Sequence, residues 1–149
     1  MEIHYHSRCL SLKYTSILRV DSKGRITIPQ IVREALDIYE GKQLLAVADF
    51  EKKEILITPI TSKTQALYEI KVELKDVPGA LASFGEKMKE LKLDQLIVKC
   101  SSIKRGELAE CVSIAEPLDP PSFNPDNVKK ALEESGFVYF VSIKQLEPY

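Results

Sequence analysis

The sequence has no apolar run that approaches the roughly 20 residues a membrane-spanning helix needs, although 44% of its 149 residues are hydrophobic. Its first residues, MEIHYHSRCLSLKY, contain neither the apolar segment nor the small-residue cleavage site of an export signal. The charged fraction of 29% is close to the average for globular proteins. We therefore expect a folded cytoplasmic protein, with one compact domain or two small ones.

The chain also lacks the short motifs that mark common enzyme classes. It has no glycine-rich phosphate loop and no nucleophile elbow, and its two histidines, His4 and His6, lie close to the N-terminus. Together with Cys9 they suggest a metal site, but the segment is a short polar arm that offers no fourth ligand. We therefore predict no catalytic residue, no bound metal and no cofactor.

The three cysteines, Cys9, Cys100 and Cys111, form no CxxC pair and no zinc-finger spacing. Neither a structural zinc site nor a disulfide framework is expected, and reduced thiols are the default. Cys100 and Cys111 would nevertheless oppose each other if Arg105 and Gly106 formed a two-residue hairpin turn. The two are then either small buried thiols or a redox-labile pair, and the sequence leaves both interpretations open.

Charge is distributed unevenly along the chain, although the formal net charge is only −1. Residues 8–33 carry six basic side chains and one acidic side chain, a balance of +5. The segment from residue 67 onward carries 11 basic and 14 acidic side chains, a balance of −3. This asymmetry indicates two parts with different functions.

The first half predicts a small β-rich domain over residues 14–61, preceded by a polar arm at residues 1–13. β-Rich runs, the first two separated by the turn-forming tetrad DSKG, predict strands at residues 17–20, 25–28, 44–48 and 54–58. A short helix is predicted with Pro29 as its first residue and an end at Asp37. A unit this small buries too little apolar surface alone, so we expect an obligate dimer. Residues 61–65 are polar and aperiodic and predict a linker.

The second half, residues 67–147, predicts an α+β domain with the element order β-α-β-β-α-β. Residues 68–74 alternate apolar and polar side chains, as in a strand with one buried face. The first helix follows, with an apolar face formed by Leu81, Phe84, Met88 and Leu91. A hairpin, a second helix capped by Asn124, and a last strand over residues 137–146 complete the domain. We expect one sheet with both helices on one side.

The stretch VDSKGRITIP at residues 20–29, with the elements around it as far as Ile60, resembles the AbrB/SpoVT family of swapped-hairpin DNA-binding domains. The resemblance implies a small β-barrel-like fold that binds double-stranded DNA. Clustered basic side chains independently suit phosphate contacts, and the candidate DNA-binding residues are Arg19, Lys23, Arg25 and Arg33. Leu18 and Glu34 stand where the family often has basic residues, which predicts fewer phosphate contacts. The alternative is that these charges only solubilise the domain.

The stretch DVPGALASF at residues 76–84 resembles the ACT family of ligand-sensing domains, and the β-α-β-β-α-β order agrees with it. The resemblance implies a small-molecule effector, such as an amino acid, held between two copies of the domain. A glycine and a helix N-terminus also suit a carboxylate physically. The candidate ligand-binding residues are Asp76, Val77, Pro78, Gly79 and Ala80. The alternative is a turn in a dimerisation module that binds no ligand.

These features together predict a homo-oligomeric DNA-binding transcriptional regulator, at least a dimer, whose second half senses a small metabolite. Two other classes remain open. One is an antitoxin of a toxin–antitoxin pair, because AbrB-like domains also serve there. Its C-terminal part would typically be disordered until bound, whereas residues 67–147 have the pattern of a folded domain. The other is an allosteric or interaction subunit that does not bind DNA.

Overall fold

The computed structural model describes residues 13–60 and 66–149. The chain divides into two compact units, with the division between Thr61 and Ser62. Most of the predicted arm, with its two histidines and Cys9, lies outside the described residues, as does the predicted linker at 61–65. None of the helices in the described ranges is long and apolar enough to span a membrane.

The first unit contains one short helix and one two-stranded antiparallel sheet. Its elements are α1 (Gln30–Ala35), β1 (Leu44–Asp49) and β2 (Glu54–Pro59). Leu44 opposes Pro59 at one end of the sheet and Asp49 opposes Glu54 at the other. The second predicted strand pair is therefore confirmed.

The first two predicted strands, residues 17–20 and 25–28, are not paired as strands among the described residues. The turn between them is formed. The Asp21 N–H donates to the carbonyl of Arg25 at 2.9 Å, and the Gly24 N–H donates to the carbonyl of Asp21 at 3.1 Å. These runs have β-propensity, but a strand forms a ladder only with a partner strand. Strands β1 and β2 pair with each other and do not supply that partner.

Helix α1 begins one residue later than predicted. Pro29 occupies the N-cap position, because its ψ of 145° is extended rather than helical, and Gln30 is the first helical residue. The helix ends at Ala35, with Leu36 as its C-cap, two residues before the predicted end at Asp37. Asp37 has a positive φ of 52°, and the Ile38 N–H donates to the carbonyl of Arg33 at 2.8 Å. This arrangement satisfies a terminal carbonyl of the helix.

The first unit buries little apolar surface in the single chain. Among its described residues Leu45 is the buried hydrophobic side chain, at 8% exposure. Other large apolar side chains of this unit are exposed, among them Ile17, Val20, Ile31, Ile55 and Leu56. A unit with so small a core gains little stability from burial alone.

The second unit is a four-stranded antiparallel sheet with two main helices. Its elements are β3 (Leu67–Lys75), α2 (Ala80–Glu90), β4 (Leu93–Lys104), β5 (Leu108–Pro117), a short 3-10 helix (Pro120–Ser122), α3 (Pro125–Glu133) and β6 (Val138–Leu146). The strands lie in the order β4-β5-β3-β6, so β3 and β5 are central and β4 and β6 are the edges. Each helix connects two parallel strands that are separated by a third.

One face of this sheet and both helices form a single core. Ile70, Val72 and Leu74 of β3 are at most 2% exposed, as their alternation predicts. Helix α2 contributes Phe84 and Met88, as predicted, whereas Leu81 is 52% exposed. The prediction for Leu81 was wrong because the small residue before it, Ala80, lies on the same face as Phe84 and Met88 and contacts the core in its place.

The hairpin of β4 and β5 turns through three residues, 105–107, rather than the predicted two. The ladder also shifts between Ser102 and Lys104. The extra turn residue and the shift compensate, so Cys100 still opposes Cys111, as predicted. Farther along, the Asn124 side chain caps α3 by accepting from the Asp126 N–H at 2.9 Å, which confirms the predicted start of that helix.

Candidate functional sites

A single carboxylate organises the turn in the first unit. Asp21 Oδ1 accepts from the backbone N–H groups of Lys23 at 2.8 Å and Arg25 at 2.9 Å. Gly24, with a φ of 76°, permits the chain to reverse there. The hydrogen bond from the Arg25 backbone is the largest of several effects that hold the pKa of Asp21 below its ordinary value. The turn is therefore fixed by a charged acceptor that sequence analysis treated only as a turn residue.

The same carboxylate orients Arg25, the foremost candidate for DNA contact. Its Nε donates to Asp21 Oδ2 at 2.8 Å, and Nη2 lies 2.8 Å from the same oxygen. The arginine side chain is still 69% exposed. Because a guanidinium has five N–H donors, the remaining donors are available to an external acceptor. Asp21 thus positions Arg25 while neutralising part of its charge.

The other three basic candidates are exposed and belong to the same unit. Arg19 precedes the turn, Lys23 is within it, and Arg33 lies in the last turn of α1. Glu34, beside Arg33 in sequence, accepts a hydrogen bond from the Gln30 side chain at 2.6 Å. Three candidates are thus grouped at or next to one turn, and the fourth is on the helix that follows.

In the second unit, the carboxylate of Asp76 ties the β3–α2 loop to the β4–β5 turn. Asp76 Oδ2 accepts from the Ser102 hydroxyl at 2.6 Å and from the Gly106 N–H at 3.0 Å. The Asp76 N–H in turn donates to the carbonyl of Glu107 at 3.2 Å. The hydrogen bond from Ser102, which has the largest effect, and the one from the Gly106 N–H lower the pKa of Asp76. This candidate ligand-binding residue therefore already has two partners within the chain.

A cavity of about 140 Å³ lies beside this loop. Of the five candidate ligand-binding residues, Asp76, Val77 and Ala80 line it, whereas Pro78 and Gly79 are not among its lining residues. The remaining lining residues are Leu74, Lys75, Leu81, Cys100, Ser101, Ser102, Ala109 and Cys111. The structure thus adds one wall, from β4 and β5, that the loop motif did not indicate.

Gly79 and Ala80 have backbone roles at this loop. Gly79 is the N-cap of α2 and has a φ of 86°. The Ala80 N–H donates to the carbonyl of Val77 at 3.1 Å, so it is not free for a ligand. The N–H groups that a carboxylate could approach at this helix end are those of the two residues that follow.

Cys100 and Cys111 are joined by a disulfide across β4 and β5, with their Cα atoms 4.1 Å apart. The default expectation of reduced thiols therefore does not describe this pair. The hairpin arithmetic in the sequence had indicated that the two residues oppose each other. The strand register shows that they do oppose each other, because the shift in the ladder compensates for the longer turn.

A family comparison finds a similarity for most of the first unit. Residues 17–65 match the family model of the MazE bacterial antitoxin, described as antidote-toxin recognition. The match covers about a third of the chain and includes the Asp21 turn, α1, β1 and β2. The first unit is thus similar to MazE antitoxin domains over this segment. No curated protein matches the chain.

Solved structures similar to the chain have low identity. A formyltetrahydrofolate deformylase from Pseudomonas putida KT2440 matches with 10% identity and a TM-score of 0.44, over 55% of this chain and 29% of that one. The C-terminal domain of the MgtC protein from Mycobacterium tuberculosis matches with 12% identity and a TM-score of 0.42, over 59% of this chain and 95% of that one. The chain thus spans less than a third of the deformylase.

Proposed function

We propose that the protein is a DNA-binding transcriptional regulator that acts through its first unit. The observation that carries this proposal is the family match of residues 17–65, because that segment includes the exposed basic side chains around the Asp21 turn. Phosphate attraction by such side chains supplies the sequence-independent part of DNA affinity. The DNA-binding residues of the proposal are Arg19, Lys23, Arg25 and Arg33.

The regulator is proposed to be a homodimer, at minimum. Residues 17–20 and 25–28 have strand propensity and no strand partner among the described residues, while Ile17 and Val20 are exposed. A second copy would supply both the missing ladder and the missing apolar cover. Dimerisation would also double the basic residues on the DNA-binding surface.

A gel-shift titration with random-sequence double-stranded DNA tests the DNA-binding role. Arg33→Gln removes one positive charge from an exposed helix position of the first unit, and Lys129→Gln makes the matched change on α3 of the second. We expect Arg33→Gln to weaken binding and Lys129→Gln to leave it unchanged. No binding by the wild-type protein, or equal effects of the two variants, would favour an interaction subunit that does not meet DNA.

The second unit is proposed to be an ACT-like sensor of a small metabolite, such as an amino acid. Support comes from the DVPGALASF motif, the β-α-β-β-α-β order and the cavity beside Val77 and Ala80. A cavity of about 140 Å³ is well below the roughly 300–1,000 Å³ of drug-sized ligand sites. It therefore suits a ligand of few heavy atoms. The ligand would act through different affinities for DNA-competent and DNA-incompetent forms.

A calorimetric screen of the common amino acids, followed by DNA titrations with and without any ligand found, tests the sensor role. Binding that changes DNA affinity supports it. If no amino acid binds, the second unit is better described as an assembly module.

An antitoxin is the second candidate function, because the family model that matches is that of a bacterial antitoxin. The second unit argues against it, since a segment that folds only on a toxin would not form its own sheet and core. Hydrogen exchange on the free protein separates the two. Strong protection of β3 and β5 amides in the absence of a partner supports the regulator, and rapid exchange throughout the second unit supports the antitoxin.

A further inference from the structure

The Cys100–Cys111 pair is held in place by the sheet and not only by its own bond. Cys100 opposes Cys111 in the β4–β5 ladder, and the neighbouring pairs on both sides are also in register. The Cα atoms are 4.1 Å apart. Because the backbone pairing fixes both residues, breaking the sulfur–sulfur bond would leave the two thiols opposed and able to re-form it.

The two cysteines differ sharply in access to solvent. Cys111 is on a central strand and is 0% exposed, within the core that contains Phe84 and Met88. Cys100 is exposed and is on β4, an edge strand. An external thiol or disulfide can therefore approach Cys100 from solvent, whereas Cys111 is reached only through Cys100 or by opening of the unit.

The pair also forms part of the wall of the cavity beside the β3–α2 loop. Ser102, two residues beyond Cys100 on the same strand, donates the hydrogen bond that Asp76 accepts. A group attached to Cys100 would thus stand at this cavity, next to the contact that ties the loop to the hairpin.

We propose that Cys100 and Cys111 form a reversible thiol–disulfide exchange site for low-molecular-weight disulfides and thiols, with Cys100 reacting first and Cys111 resolving the intermediate. The inference does not depend on whether the protein binds DNA. Its physical basis is a pair fixed by the sheet in which Cys100 is exposed and Cys111 is buried.

The exchange balances with a small disulfide RSSR as the oxidant. The Cys100 thiolate attacks one sulfur of RSSR, forms the mixed disulfide and releases RS⁻, which takes up the proton that Cys100 lost. The Cys111 thiolate then attacks the Cys100 sulfur and expels the second RS⁻, which takes up the proton of Cys111. Two protein thiols are oxidised and one RSSR is reduced to two RSH. Excess thiol reverses the sequence: one RS⁻ attacks the Cys100 sulfur and expels the Cys111 thiolate. A second RS⁻ then attacks the outer sulfur of the mixed disulfide, which releases the Cys100 thiolate and re-forms RSSR.

The test uses the full chain carrying Cys9→Ser, which leaves Cys100 and Cys111 as its cysteines. The reduced protein is incubated with oxidised glutathione, blocked with an alkylating reagent and weighed intact. We expect a product with neither alkyl group nor glutathione, restored to two free thiols by excess reduced glutathione without denaturant. Cys111→Ser should keep one glutathione on Cys100. Cys100→Ser should react with oxidised glutathione more slowly, by a factor on the order of ten or larger, because Cys111 becomes accessible only through local opening.

A second measurement keeps the proposal testable if a variant fails to fold. Trypsin separates the two cysteines of the Cys9→Ser protein, because Lys104 and Arg105 lie between them. Quenched samples from early times should carry glutathione on the Cys100 peptide and not on the Cys111 peptide. Three outcomes would each overturn the proposal. They are equal labelling of both peptides, a dithiol that persists under excess oxidised glutathione, and a disulfide that excess thiol reduces only after the protein is unfolded.

Discussion

Replacing Gly79 tests the backbone geometry of the loop before α2. Gly79 has a φ of 86°, and a Cβ built there meets nothing within 4 Å. An alanine at this position is therefore destabilising through backbone strain alone, because its Cβ would not clash with any other described part of the protein. The left-handed region costs an L-residue about 1–2 kcal/mol. We expect Gly79→Ala to lower the free energy of unfolding of the second unit by about that amount.

Gly85 provides a matched control within the same helix. It lies inside α2, and a Cβ there also meets nothing within 4 Å. Its φ is not in the left-handed region, so alanine should stabilise the helix by about 0.5–1 kcal/mol relative to glycine. The two substitutions add the same methyl group and should shift stability in opposite directions, with a difference of about 1.5–3 kcal/mol.

Urea unfolding followed by far-UV circular dichroism measures both variants. The unfolding midpoint should fall for Gly79→Ala and rise for Gly85→Ala. A shift of the same sign for both would refute the strain argument at residue 79. If the proposed sensor binds an amino acid, Gly79→Val should also weaken that binding, while DNA affinity falls far less than with a substitution in the basic unit.

Three further predictions concern the basic turn, the Asp76 carboxylate and the core. Arg25→Ala should remove most DNA binding at moderate salt while the dimer persists. For the wild-type dimer, about eight phosphate contacts predict that the logarithm of the DNA-binding constant falls with the logarithm of salt concentration with a slope near −7, or less negative given Leu18 and Glu34. A slope near zero would contradict the DNA role. The lowered pKa of Asp76 means that its stabilising contribution is complete above the ordinary aspartate pKa and is lost as the pH falls through the lower pKa of the folded state. The protection factor of the Gly106 amide, which is its exchange rate by NMR relative to the intrinsic rate at each pH, should therefore fall over that acidic window in wild type but not in Asp76→Asn. Leu132→Ala, at a fully buried position of α3, should cost about 2–5 kcal/mol in urea unfolding; a loss well below that range would refute the packing described for this helix.

Local patterns predicted those parts of the fold whose partners are near in sequence or whose periodicity is strong. The alternation of β3, the cap at Asn124 and the strands on either side of the 49–53 turn each follow from short-range chemistry. The phase of α2 was misjudged at Leu81 because helical spacing alone does not say which of two adjacent residues faces the sheet.

The candidate sites were less predictable because they depend on contacts that are distant in sequence. The contact between Asp76 and Ser102 spans 26 residues and arises only when the hairpin reaches the loop. The opposition of Cys100 and Cys111 was predicted on the basis of a two-residue turn, and it holds because a ladder shift compensates for the longer turn. Their disulfide was not predicted. The orientation of Arg25 by Asp21 is local, and the charge pair four residues apart was the signal that could have identified it.

The interleaved order of the sheet has a consequence for synthesis of the protein on the ribosome. Strand β3 is the first strand of its unit to be made, yet one of its two hydrogen-bonding edges is covered only by β6, which ends at Leu146. Until then that edge, from a strand bearing Ile70 and Val72, can pair with other chains. A chain that stops before residue 138 keeps this edge open. Pairing with β6 therefore closes an edge at which a growing chain is open to aggregation.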